Sequence, residues 1–318
     1  MYKKSINYDK CNSCMKCESI CANSRVIEKN SNGKPEFKND IKCIFCGHCL
    51  AICPQSAITF DLWDSKKQLV NEYYAKPLKL DPMKKLPDED EIFEFLFSIR
   101  TNRYFLDKVI EKEKILKILD IMTRAPSAGN EQNRNFYILD DKTKVDRLEN
   151  LVKNHHEKMR VTNPLLVRLL ALSIAKTTSE EYTKNKSISE LSLKERYKNY
   201  LKLMKDFSQN NNEYFSYLRN SHAIIIITSN LKGSNMHKSF YKGDSCIAVT
   251  YGIMAAKAMG LDSCWLGLCE IAMNQNKNIR KAMNIKDGER IDGVLALGYS
   301  DIKWEQAPPR GPVKTVWL

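Results

Sequence analysis

The chain has 318 residues, room for one large domain or two unequal ones, and its 43% hydrophobic and 28% charged residues allow a packed core and exclude wholesale disorder. The formal charge of +13 comes from scattered lysines with no basic segment interleaved with aromatics, so no nucleic-acid-binding stripe is expected. No apolar run reaches the roughly 18 residues of a membrane span, and Met1 to Lys10 lacks the apolar core of a secretory signal; a soluble, cytoplasmic protein without a membrane partner is expected.

The cysteines come first in the chain. Eleven are present, which in a cytosolic protein argues for metal or redox chemistry over disulfides. Eight lie in two runs: Cys11, Cys14, Cys17 and Cys21, then Cys43, Cys46, Cys49 and Cys53. Both read C-x2-C-x2-C-x3-C, and the second ends Cys53-Pro54. Zinc modules present paired C-x2-4-C units that each close on four ligands, which two runs of four do not match. The spacing resembles the bacterial two-cluster ferredoxin pattern, in which three thiolates wrap one 4Fe–4S cubane and the fourth serves the other cluster. That resemblance implies one cluster on Cys11, Cys14, Cys17 and Cys53, and another on Cys43, Cys46, Cys49 and Cys21. The first run departs from the pattern in ending Cys21-Ala22, without proline. Crossed ligation would tie together a segment of about 60 residues with little core.

Residues 63–90 carry Pro77, Pro82 and Pro87 among mixed charges and read as a linker between a domain at 1–62 and one at 91–318. Glu91 to Ser98 reads as a short buried helix, and Glu111 to Met122 has helical apolar spacing. Asn135 to Leu139 is a strand candidate; Leu151 to Phe215 is polar and helical. His155 and His156 within it read as solvated helix residues, with a pocket role as the minor alternative. Ala223 to Thr228 is a buried strand. Ser245 to Met259 is a long apolar helix with Asp244 as N-cap and Gly260 at its C-terminal cap, and Arg290 to Tyr299 is a further strand. Cys246, Cys264 and Cys269 sit in apolar sequence and read as small core residues. The fold class is therefore α+β: a sandwich, not a doubly wound sheet. The dinucleotide fingerprint G-x-G-x-x-G is absent, so a Rossmann domain is not indicated.

Four segments of the second part, in order, resemble the nitroreductase family. Ser98-Ile99-Arg100-Thr101-Asn102-Arg103 is similar to its arginine–serine–x–arginine opening, implying that Arg100, Thr101 and Arg103 hold an FMN phosphate, a role suited to bidentate guanidinium contacts. Ala125-Pro126-Ser127-Ala128-Gly129-Asn130-Glu131-Gln132 is similar to its proline–serine–alanine–x–asparagine–x–glutamine turn. By resemblance this loop lies along the isoalloxazine ring, with Pro126, Ser127, Ala128, Asn130 and Gln132 as contacts; Asn133-Arg134 stands where the family has proline–tryptophan. Ala255 to Gly267 looks like the family's core helix and following strand, implying backbone groups of Leu266 and Gly267 near flavin N5, where an N–H stabilises the reduced ring. Val294 to Tyr299 followed by Pro308-Pro309-Arg310 resembles the family ending, which returns Arg310 to the phosphate.

The resemblance implies a ferredoxin-like module followed by a nitroreductase-like α+β sandwich, acting as a homodimeric FMN oxidoreductase. No side chain is assigned as catalytic, because the cofactor carries the chemistry. Two oxidised clusters and one FMN would lower the formal charge by about 6, leaving a basic surface suited to an acidic donor such as ferredoxin or flavodoxin. The expected flow is from clusters to FMN to a small organic acceptor such as a nitroaromatic or quinone. Two alternatives stay open: NAD(P)H as a transient donor with the clusters as acceptors, and a redox carrier or sensor without its own substrate.

Overall fold

The computed structural model describes residues 3–21, 23, 26–38, 42–61, 87–162, 195, 216–232, 235–308, 313 and 315–317; Arg310 and most of the expected linker and of residues 151–215 lie outside them. The chain divides into two compact units. One comprises Met1–Leu96, Leu116–Asn133 and Gly233–Gly252; the other comprises Phe97–Ile115, Arg134–Lys232 and Ile253–Leu318.

The first unit opens with a duplicated motif. Strand β1 (Lys3–Ile6) pairs antiparallel with β4 (Ile58–Asp61), and β2 (Ile27–Lys29) with β3 (Pro35–Phe37). One-turn helices α1 (Lys16–Ser19) and α2 (His48–Ala51) lie between. The repeat seen in the cysteine spacing extends to the backbone: Ser13 (φ 58°) and Met15 (φ 57°) are matched by Phe45 (φ 52°) and Gly47 (φ 75°). All four are left-handed, a conformation that only glycine adopts freely, so the loops take this shape against local preference. Cys17, Val26, Ile27, Cys49 and Ile58 are the buried centre of this region, a core too small to hold so short a segment without added cross-links.

Helix α3 (Glu89–Ser98) forms where expected, but the expectation that it is buried is not met: Ile92, Phe93, Leu96 and Phe97 are between 39 and 60% exposed. Its start is instead held by a reciprocal capping box, with Glu91 N–H donating to Asp88 (2.9 Å) and Asp88 N–H to Glu91 (3.2 Å). Helix α4 (Lys112–Thr123) buries Ile115, Ile118, Leu119 and Met122 at three- and four-residue spacing.

Helix α6 (Asn235–Ala258) starts well before the Ser245 expected from sequence. Asp244 is consequently inside the helix and is not its N-cap; its carboxylate accepts the Ala128 N–H (3.2 Å to each oxygen). At Gly252 the two helices meet closely, since a Cβ there would lie 2.8 Å from Met122 Sδ. The far end of α6 closes as expected on Gly260 (φ 72°), with Leu261 N–H to Ala256 O (2.9 Å) and Gly260 N–H to Lys257 O (3.1 Å), a Schellman pair.

The second unit is built on an antiparallel sheet of order β5 (Asn135–Leu139), β6 (Ala223–Asn230), β8 (Glu289–Gly298), β7 (Asp262–Trp265). Central strands β6 and β8 are buried along nearly their whole length, which explains their continuous apolar sequence in place of alternation. Helices α5 (Lys142–Thr162), α7 (Gly267–Gln275) and α8 (Lys277–Ala282) complete it, contributing Leu148, Val152, Met273 and Ile279 to the core. Buried Glu289 accepts from Asn135 Nδ2 (3.0 Å), the Tyr137 hydroxyl (2.9 Å) and Thr228 Oγ1 (2.6 Å), tying three strands through one satisfied carboxylate.

Candidate functional site

The eight cysteines are gathered into two recesses, and the sets cross. Cys11, Cys14, Cys17 and Cys53 line one recess with Ile6, Pro35 and Ile58. Cys21, Cys43, Cys46 and Cys49 line the other with Val26, Phe37 and Phe60. Each run of three thus borrows its fourth thiol from the other run, the arrangement that the ferredoxin resemblance implies.

The donor chemistry fits an iron–sulfur cluster. Burial, reinforced by neighbouring thiols, pushes the Cys17 thiol up and the Cys49 thiol up to about 11. Thiolates crowded in this way need a cationic centre among them to ionise together. Ala57 N–H donates to Cys53 Sγ (3.3 Å), the type of contact that tunes cluster potential.

In the same unit, residues 126–132 form a tight loop around a short 3-10 turn (Ala128–Asn130). Gly129, Asn130 and Gln132 all have positive φ. Gln132 N–H donates to Ser127 Oγ (3.0 Å), and Asp244 fixes the Ala128 N–H. Pro126 is exposed and Ser127 and Ala128 are half-buried, a low rim over which a planar ring can approach. The Asn130 side chain finds its partners in the second cysteine run and within the loop itself. Its Nδ2 donates to Ile44 O (3.1 Å) and Phe45 O (2.8 Å), while its carbonyl accepts from Gln132 Nε2 (3.1 Å).

In the other unit, the segment carrying Arg100, Thr101 and Arg103 is pinned to β7. Thr101 bridges Ser263, and Asn102 N–H donates to Ser263 O (3.0 Å). Asn102, which sequence reasoning passed over, is the anchor: it is buried, donates to Asp262 (3.0 Å), and accepts the Tyr104 N–H (2.8 Å). Its place between two arginines is the signal, since a short polar residue there caps the turn. Phe105 then lies over Gly298, and Leu106 N–H donates to Tyr299 O (2.8 Å).

Arg100 Nη1 donates to Ile99 O (2.6 Å), but its Nε is a buried donor without a hydrogen-bond partner among the described residues. Such an atom is costly unless an acceptor is supplied, and a phosphate supplies one. At the end of β7, Leu266 N–H is spent on Val294 O (2.8 Å), which leaves Gly267, the first residue of α7, as the N–H at a helix start.

His155 and His156 are half-buried and hydrogen-bonded, so the solvated reading holds only in part. His156 Nε2 meets Leu268 O (3.0 Å) and its ring stacks on Tyr217 (5.0 Å, 10°), which Glu149 holds through its backbone N–H (2.6 Å). His155 reaches Gln275 (3.2 Å). The signal was present: the pair continues the buried Leu148–Val152 phase of α5. Burial lowers the His156 pKa and favours the neutral ring. Cys264 and Cys269 are buried with raised thiol pKa, as core residues should be; Cys246 is half-buried.

Two recesses lined by cysteines in one unit and a buried arginine donor in the other are the candidate cofactor-holding groups. Comparison with known proteins gives the family. Residues 98–299 match the Nitroreductase family and residues 10–58 a 4Fe-4S dicluster domain. The chain belongs to the nitroreductase family and carries an N-terminal 4Fe-4S dicluster domain.

A protein of Archaeoglobus fulgidus, provisionally described as an NADH dehydrogenase/NAD(P)H nitroreductase, is 23% identical over 210 residues, covering 66% of this chain and 86% of its own. Among solved structures, an FMN-dependent nitroreductase of Clostridium difficile aligns with TM-score 0.47 and 15% identity over 73% of this chain and 100% of its own. A Bacteroides fragilis nitroreductase with bound FMN aligns with TM-score 0.45 and 16% identity, over 71% and 99%. No described helix is long and apolar enough to cross a membrane.

Proposed function

We propose that this protein takes up electrons at two 4Fe–4S clusters and delivers them through FMN to a small organic acceptor such as a nitroaromatic or quinone. The observation that carries this is the gathering of all eight cysteines into crossed sets of four in a chain that also carries the nitroreductase domain. When bound, the clusters supply one-electron steps and FMN supplies two-electron transfer from N5.

The protein's own groups hold and orient. Cys11, Cys14, Cys17 and Cys53 serve one cluster, and Cys21, Cys43, Cys46 and Cys49 the other. Arg100, Thr101, Arg103 and Arg310 take the FMN phosphate, with Arg100 Nε supplying a buried donor in need of an acceptor. Asn102 keeps that segment on β7. The 126–132 loop, braced by Asp244, lines the ring, and Gly267 offers its N–H. In this reading residues 1–62 form the cluster domain, 63–90 the linker and 91–318 the flavin domain.

Phe240, Ile247 and Tyr251 form an exposed stripe at helical spacing on α6, which favours a homodimer. The basic surface suits an acidic ferredoxin or flavodoxin as donor. A second reading, NAD(P)H reducing the flavin with the clusters as acceptors, is favoured by the description of the Archaeoglobus relative. Anaerobic visible spectroscopy separates the two. Bleaching of the flavin band by reduced ferredoxin but not by NADH or NADPH is the expected outcome; prompt bleaching by a nicotinamide would establish the second reading. Iron and sulfide without a flavin band, after FMN is supplied, would refute both.

A further inference from the structure

The two cysteine sets are repeats in sequence but not in surroundings. Ile44 and Phe45, between the ligand candidates Cys43 and Cys46, present consecutive carbonyls to Asn130 Nδ2 at 3.1 and 2.8 Å. The matching residues of the first run are Asn12 and Ser13, and among the described residues no hydrogen bond joins their carbonyls to the 126–132 loop. Cys14 is exposed, whereas Cys46, its counterpart in the second run, is half-buried. One recess therefore faces outward, and the other is bonded to the loop that resembles the flavin-lining turn.

We infer that the recess of Cys21, Cys43, Cys46 and Cys49 is the flavin-side cluster site, that the recess of Cys11, Cys14, Cys17 and Cys53 is the donor-side site, and that Asn130 is the positioning residue joining the former to the flavin loop. This rests on the FMN reading given above and adds an order and a residue to it. Asn130 is suited to the task because asparagine tolerates the left-handed backbone it occupies (φ 55°). Both N–H bonds of its amide are spent on the cysteine loop, and Gln132 fixes the orientation of that amide from behind (3.1 Å). The brace continues through Ser127 to Gln132 and from Ala128 to Asp244 on α6. With a one-electron reductant, the set of Cys11, Cys14, Cys17 and Cys53 would hold the cluster that is loaded first, and the set of Cys21, Cys43, Cys46 and Cys49 the one that would take each electron on from it, re-oxidising the first. Two such passages, with one proton from solvent, would account for the two-electron reduction of FMN.

Two variants test this in the full-length protein with clusters and FMN loaded. Asn130→Gly removes both hydrogen bonds while remaining at ease at positive φ; Asn130→Asp keeps the shape but sets an acceptor against two carbonyls. Three quantities are measured: amide hydrogen exchange at residues 43–47, the anaerobic rate of flavin bleaching by reduced methyl viologen, and the cluster signals by electron paramagnetic resonance before and after FMN is added. With iron and FMN contents unchanged, both variants should speed exchange at 43–47 and slow bleaching by about tenfold or more, as displacement by about an ångström does in other positioned reactions.

FMN should perturb only the cluster signal that Cys46→Ser also alters. Wild-type bleaching in Asn130→Gly, or an FMN response in the signal that Cys14→Ser alters, overturns this inference and leaves the flavin function standing. Failure of the wild type to bind FMN overturns that function, and this inference with it.

Discussion

Replacing Gly298 with alanine should damage both stability and flavin binding, for a reason visible in one contact. The new Cβ would lie 2.5 Å from Phe105 Cδ1, 2.6 Å from its Cγ and 2.9 Å from its Cβ. These atoms are the root of the ring, not a flexible tip, so the ring cannot simply swing aside. Gly298 ends β8 opposite Asp262 of β7, which leaves little freedom on the strand side. Overpacking of this kind costs about 1–3 kcal/mol. At roughly 2–4 °C per kcal/mol for a domain of this size, a cost of about 2 kcal/mol lowers Tm by about 4–8 °C.

The strain should also travel, because Phe105 lies two residues from Arg103 on the segment whose Asn102 holds it to β7. On the proposed role of Arg100 and Arg103, a shift there would misaim the phosphate contacts, and each factor of ten in FMN Kd corresponds to about 1.4 kcal/mol. Thermal melts followed by circular dichroism, with an FMN titration by fluorescence quenching, measure both effects. Phe105→Ala in the same background should recover part of the loss, with a coupling of about 1 kcal/mol. A Gly298→Ala protein that melts and binds FMN like the wild type would refute the reasoning.

Crossed ligation makes a counterintuitive prediction for the fourth cysteines: Cys21→Ser should alter the same cluster signal as Cys46→Ser, and Cys53→Ser the same one as Cys14→Ser. Pairing of Cys21→Ser with Cys14→Ser by electron paramagnetic resonance would mean that each run closes on itself. His156 should contribute to acid sensitivity. Burial lowers its pKa from the ordinary 6.5, so its contribution to stability is complete above that value and is lost as pH falls through the lower folded value. His156→Gln, which retains a donor for Leu268 O but cannot take a charge, should flatten the fall in Tm between about pH 7 and pH 5; an unchanged slope would count against the burial argument.

Local signals were legible where chemistry or periodicity is confined to a short stretch. The cysteine spacing, the apolar run of β6 and the Gly260 cap all depend on neighbours within a few residues, and all appear as expected. Expectations failed where the deciding partner is distant in sequence. Asp244 looks like a helix cap until Ala128 claims its carboxylate, and the polar start of α6 hides the helix preceding it. The apolar residues of α3 suggested burial, but a capping box sustains the helix with that surface exposed. Strands β1 to β4, three or four residues each, are too short for alternation to register. Asn130 could be named from its motif, but its bond to Ile44 and Phe45 spans about 85 residues and no local pattern encodes it.

The crossed recesses also make the cluster module a clasp whose hinge is dispensable once it is shut. In the proposed assignment one cubane would join the chain near Cys11 to Cys53, and the other would join Cys21 to the stretch from Cys43 to Cys49, the sets that line the two recesses. The turn between β2 and β3, held by Asn30 through Lys34 N–H (3.0 Å) and Gly33 N–H (3.0 Å), lies between the two halves that iron connects twice. A loaded module cut at that turn would remain one object, its cluster bonds reinforcing the β1–β4 and β2–β3 pairings that also cross the cut. An empty one would keep only those short pairings and a small core, so metal occupancy would weigh more than chain continuity in deciding whether these residues behave as a single body.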